Sequence, residues 1–149
     1  MSANAALATK PSLTLKRRLN ATPERVYTAW TDPEQVAQWF GPPHIETVEA
    51  DADARKGGRY RIFMRSKNGE EHDVRGIYRK VVPNRELVFT WAWQSTPERE
   101  SLVTILIKPD GDGSLFTLTY EHFFDETARD NHNEGWTACL DALERYIAE

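Results

Sequence analysis

Between His44 and His122 turn signals recur roughly every 13 to 15 residues, and the pieces between them read as strands of a sheet. Asn68-Gly69, Pro83-Asn84, Thr96-Pro97 and Asp110-Gly111-Asp112-Gly113 divide it into pieces that suit strands and leave little room for a helix. The expected strands are Ile45 to Asp53, Gly58 to Ser66, His72 to Val82, Glu86 to Trp93, Ser101 to Lys108 and Leu115 to His122. Short connections make sequential strands pair antiparallel. Asn68-Gly69 reads as a two-residue hairpin and Asp110 to Gly113 as another hairpin tip.

The flanks are different. Leu13, Leu15, Arg17 and Leu19 alternate with Thr14, Lys16, Arg18 and Asn20, a period of two that predicts a first strand with one mainly apolar face. Thr22-Pro23-Glu24 supplies a cap, a proline at the first helical position and an acidic first turn. Val26, Tyr27, Ala29 and Trp30 follow at helical spacing. Asp32-Pro33-Glu34-Gln35 repeats the start signal, with Gln35 placed for a capping box, and Gly41-Pro42-Pro43 stops the second short helix. At the other end, Asp125 can cap a helix running to about Ala148, with Trp136, Leu140, Leu143 and Ile147 three and four residues apart. Such a helix extends about 33 Å, enough to cross six or seven strands.

Composition narrows the function classes. The 149 residues, 40% hydrophobic and 28% charged, suit one domain, expected over residues 12–149 behind a flexible tail of residues 1–11. A formal net charge of -4 argues against nucleic acid as a partner. Cys139 is the single cysteine, so no internal disulfide can form, and a reducing cytoplasm fits best. The start of the chain lacks the basic and apolar regions of a secretory signal, and no apolar run approaches a membrane span.

Strand parity predicts an aromatic inner face. Tyr60, Ile62 and Met64 share it with Val74, Gly76 and Tyr78; further along come Leu87, Phe89, Trp91 and Trp93, then Val103, Ile105 and Ile107, then Phe116, Leu118, Tyr120 and His122. One helix about 10 Å wide cannot cover six or seven strands, so the remaining apolar area either encloses space or is filled by other elements. Trp39 and Phe40 are placed to close one end. If space remains, Tyr60, Ile62, Met64, Tyr78, Phe89, Trp91, Ile105, Phe116, Leu118, Tyr120 and His122, with Trp136 and Leu140 from the helix, are the expected ligand-binding residues. The alternative is a solid core of the same side chains.

The order of strand, two short helices, six strands and one long helix resembles the START-like helix-grip superfamily, an α+β fold in which a curved antiparallel sheet of six to seven strands and its helices enclose a cavity. The segment Ala21 to Glu34, then Trp39-Phe40-Gly41-Pro42, is similar to the N-terminal signature of heat-shock-protein-90 ATPase activator homologues, specifically of the activator's C-terminal domain. Lys56-Gly57-Gly58-Arg59-Tyr60-Arg61, Gly76-Ile77-Tyr78, Val82-Pro83, Leu87 to Trp91 and Gly135-Trp136 match that family in type and order. The resemblance implies ligand binding, and with the aromatic inner face it leads to the expectation of a hydrophobic or aromatic small molecule bound in an internal cavity without catalysis. It also suggests an enzyme of the aromatase/cyclase type or a chaperone-linked interaction module as alternatives, and a fold shared among such roles does not choose between them.

Catalytic chemistry has one candidate grouping, Glu121, His122, Asp125 and Glu126, in which a histidine at the cavity mouth could exchange protons near neutral pH. Strand alternation turns Glu121 outward, and Asp125 and Glu126 suit a helix start, which leaves His122 alone. His132, one turn before Trp136, faces either the cavity or the helix surface. The four histidines are scattered, so no metal or other cofactor is expected. Gly57-Gly58 lacks the strand-to-helix setting of a phosphate loop. Arg59, Arg61 and Arg65 form a solvated outer stripe, and Cys139 reads as a small buried hydrophobe. An apolar patch outside the sheet would favour the interaction-module reading or a homodimer.

Overall fold

The computed structural model describes residues 12–41, 45–98, 100–121 and 126–148. The expected tail of residues 1–11, His44, His122 and Asp125 lie outside them. Its elements are β1 (Leu13–Leu19), α1 (Pro23–Thr31), α2 (Pro33–Trp39), β2 (Ile45–Ala52), β3 (Arg59–Ser66), β4 (Glu71–Val82), β5 (Glu86–Trp93), β6 (Ser101–Asp110), β7 (Gly113–Glu121) and α3 (Glu126–Ile147). The strands form one antiparallel sheet in the order β1-β7-β6-β5-β4-β3-β2. Strands β2 to β7 are therefore a meander, and β1 joins it beyond β7.

Register carries the alternation of each strand across the sheet. Leu87 pairs with Ile105 and Ile105 with Leu118, while Phe89 pairs with Val103 and Val103 with Tyr120. Every one of these residues is buried. Rows of apolar side chains thus cross three strands on a single face, which a one-residue slip would turn outward.

The turns differ in detail from the expected ones. A two-residue turn at Asn68-Gly69 needs positive φ at both residues, but only Gly69 has it. The Gly69 N–H donates to Ser66 O (2.9 Å) and the Ser66 N–H to Glu70 O (2.8 Å), so the loop holds three residues and ends on the left-handed glycine. Val82 to Arg85 forms a turn closed by the Arg85 N–H on Val82 O (3.0 Å), with Pro83 at its first corner and Asn84 at φ 66°. That is the residue order a type II turn prefers.

One residue joins the short helices. The Asp32 N–H donates to Thr28 O and closes α1, while its carboxylate accepts the Glu34 N–H (3.0 Å) and caps α2. The expected capping box is therefore not formed, because the Asp32 N–H that Gln35 would have to bind is already used by α1. Gln35 donates instead to the Asp32 carboxylate (3.3 Å). Trp39 fastens the pair by donating its indole N–H to Ala29 O (2.8 Å).

Helix α3 lies over the inner face. Trp136, Leu140, Leu143 and Ile147, the predicted apolar stripe, are all buried. Arg17 sits opposite Phe116 in the register of β1 with β7 and reaches Asp141 (2.8 Å) and Glu144 (2.9 Å) of α3. One guanidinium thereby ties the edge strand to the helix. The bonds to Glu144 and Asp141 raise the Arg17 pKa against a smaller opposing effect of burial. No helix among the described residues is long and apolar enough to cross a membrane.

Candidate ligand cavity

A cavity of about 270 Å³ separates the middle of α3 from one end of the sheet. On the helix its wall is His132, Gly135, Trp136 and Cys139, spaced i, i+3, i+4 and i+7 and so sharing one face. On the sheet it is Met64 of β3, His72 of β4 and Trp91 and Trp93 of β5. Met64 and His72 are register partners, as are Val74 and Trp93. Phe40, just after α2, and Ile45, at the start of β2, close the side.

Rings dominate this wall. The Trp91 and Trp136 centroids are 5.0 Å apart, and Phe40 meets Trp136 edge to face at 6.0 Å. Tyr120 backs His132 at 5.0 Å and Trp136 at 5.9 Å. These separations are those at which aromatic pairs attract beyond simple burial. The Trp93 indole N–H donates to Nε2 of His132 at 3.2 Å. Since an indole can only donate, this bond requires Nε2 to be the unprotonated nitrogen. His72 lies edge-on to Trp93 at 6.1 Å. The indole N–H groups of Trp30 and Trp91 are buried with no acceptor among the described residues, a cost of about 1–3 kcal/mol each.

Burial controls the acid–base chemistry around the site. It pushes the Cys139 thiol up to about 11, outweighing a hydrogen bond with the Gly41 backbone. It likewise raises the phenols of Tyr60, Tyr78 and Tyr120. All four groups are neutral at physiological pH. Cys139 should therefore resist iodoacetamide in the folded protein. At pH 8 its thiolate population is about 100-fold below that of an unperturbed thiol, so labelling followed by mass spectrometry should accelerate at least that much on unfolding in urea.

The residues expected from the sequence to bind a ligand fall into five groups. Met64, Trp91 and Trp136 line the cavity. Tyr60, Ile62, Tyr78, Phe89 and the far side of Trp91 surround a separate gap of about 30 Å³, the share of liquid volume of about one water. Ile105, Phe116, Leu118 and Leu140 are no more than 1% exposed and pack in the solid core. Tyr120 stands behind His132 and Trp136, and His122 lies outside the described residues. Tyr60 also bonds across the sheet. Its hydroxyl donates to Thr90 O (2.5 Å) across Gly76, while the Ile77 N–H donates to Thr90 Oγ1 (2.9 Å).

Arg61 and Arg65 of the outer stripe are engaged by Asp73 (2.7 Å) and Glu71 (2.9 Å). No cluster of three or more His, Cys, Asp or Glu side chains among the described residues could hold a metal ion. Of the catalytic grouping, only Glu121 has a described side chain, and it is partly exposed.

Residues 20–148 match the family model described as Activator of Hsp90 ATPase homolog 1-like protein. The chain belongs to this family. Among solved structures, a protein from Chromobacterium violaceum is 27% identical with a TM-score of 0.83, the match covering 93% of this chain and 97% of the other. A protein of Silicibacter pomeroyi that carries the family's name is 28% identical with a TM-score of 0.81, covering 93% and 98%. An Aeromonas hydrophila relative at 21% identity, with a TM-score of 0.80 over 93% and 92% of the two chains, shares the fold. No curated protein matches the sequence.

Membership in the Activator of Hsp90 ATPase homolog 1-like family agrees with the helix-grip topology and with the Ala21 to Glu34 and Gly135-Trp136 segments that suggested it. In this member of the family the cavity also recruits residues that parity alone passed over as ligand contacts. His72 has the parity of Val74 and Tyr78, so its inward position was available from β4. His132, Gly135 and Cys139 follow from the helical face of Trp136. Ile45 had no signal, because a bulge between Ile45 and Thr47 breaks the alternation of β2.

Proposed function

We propose that the protein binds a small hydrophobic or aromatic molecule in the cavity under α3 and does not transform it. The observation that carries this reading is a 270 Å³ space walled mainly by Phe40, Met64, Trp91, Trp93 and Trp136. Wells of this kind, apolar with a few polar points, are the usual form of small-molecule sites. The polar groups on this wall are His72 and the hydrogen-bonded pair of Trp93 and His132, which suit a ligand with few polar atoms. The Cys139 thiol, held protonated by burial, is a poor nucleophile.

Thermal unfolding in the presence of a panel of apolar and aromatic compounds tests the proposal. A ligand present at about 100 times its Kd stabilises the fold by about 2.7 kcal/mol, and the same compound should quench the fluorescence of the tryptophans on the wall. A panel in which no compound raises the unfolding midpoint or alters the tryptophan emission would count against a binding role.

A further inference from the structure

One part of the cavity wall is not explained by packing of the polypeptide on itself. Gly135 lies in the interior of α3, away from either end, where glycine weakens a helix relative to alanine. It does not use the left-handed backbone conformation that favours glycine elsewhere in this chain. Nor does it admit a second element at close range. A Cβ at Gly135 would meet no described residue within 4 Å, whereas at Gly58 and Gly76 it would lie 2.0 Å and 1.9 Å from a backbone oxygen. What faces Gly135 is the cavity.

We infer that Gly135 determines specificity by keeping the helix wall low, so that a flat two-ring aromatic molecule can lie against the backbone of α3 between His132 and Cys139. The inference rests on the cavity being a ligand site. Size sets the number of rings: an apolar cavity of about 150 Å³ accommodates benzene, and this one is nearly twice as large. Shape sets the class. The indoles of Trp91, Trp93 and Trp136 offer both faces and edges to an aromatic ligand, which gains quadrupole contacts that a saturated one lacks. A saturated skeleton is also thicker, and it needs the depth that a methyl group at position 135 would occupy.

The test compares 2-naphthol with decahydro-2-naphthol, which share one carbon skeleton and one hydroxyl and differ in planarity, on the wild type and on Gly135→Ala. The wild type should bind 2-naphthol about tenfold more tightly than its saturated counterpart by calorimetric titration. Gly135→Ala should raise the unfolding midpoint of the unliganded protein by about 3 °C, through helix propensity. The same variant should bind 2-naphthol about tenfold more weakly, because the added methyl would stand where the flat ring lies against the helix backbone. Equal affinity for the two probes, unchanged in Gly135→Ala, overturns the inference and leaves the cavity as a binding site. A lower midpoint in Gly135→Ala overturns it as well, since the added methyl would then be meeting protein. If neither probe binds the wild type, the ligand-site reading falls and the inference goes with it.

Discussion

Gly76→Ala should cost the fold about 3 kcal/mol or more, among the larger effects of a single methyl group. The new Cβ would stand 1.9 Å from Thr90 O, 2.5 Å from Tyr60 Cε1 and 2.7 Å from the Tyr60 hydroxyl. The tyrosine could swing away, but the carbonyl belongs to β5, and moving it separates two central strands. Strand β4 pairs with β5 on both sides of this point, at Arg75 with Ala92 and at Tyr78 with Phe89. Between them Thr90 takes the Ile77 N–H on its hydroxyl, and Tyr60 bonds the Thr90 carbonyl. Side chains thus replace ladder bonds where glycine permits the approach. Urea unfolding gives the measurement, and adding Tyr60→Phe should not rescue the variant, because the backbone oxygen remains. A loss below 1 kcal/mol would mean that the strands are farther apart here than described.

Trp136→Ala should destabilise the protein by about 3–5 kcal/mol and abolish the proposed ligand binding. The indole is 3% exposed and its ring neighbours come from four other elements or loops: Trp30, Phe40, Trp91 and Tyr120. Its removal would merge the lost volume with the adjoining cavity, so the surroundings could not collapse to fill it. A domain of this size is stable by about 5–15 kcal/mol in total, and the variant would sit near the lower limit of folding. Trp136→Phe keeps a ring at the position and should lose less than half as much by thermal or urea unfolding. Comparable losses for both variants would show that the indole edge, and not buried area, is what matters.

The two predictions treat sequence signals of unequal legibility. Trp136 could be placed from periodicity, because Leu140, Leu143 and Ile147 continue its stripe and a helix must bury such a face. Gly76 could be placed on the inner face of β4 but its reason could not be read, since the close oxygen comes from β5 and the overlying ring from β3. Asp32 is a case between them. Its capping role was visible locally, yet its double use by α1 and α2 removed the capping box that Gln35 alone would have suggested.

For the cavity the division is sharper. Tyr60, Phe89, Ile105 and Leu118 have the same alternation as Met64 and Trp91, so parity could not separate wall from core. Sequence alone determined the element order, the inward faces, the docking stripe of α3 and the family resemblance, because each rests on a period or a short segment. Only the tertiary structure decided where the inner face stays open. That depends on how far α3 stands from the ends of β3, β4 and β5, a distance set jointly by side chains from five elements and the loop at Phe40, and by a glycine that leaves the helix wall bare.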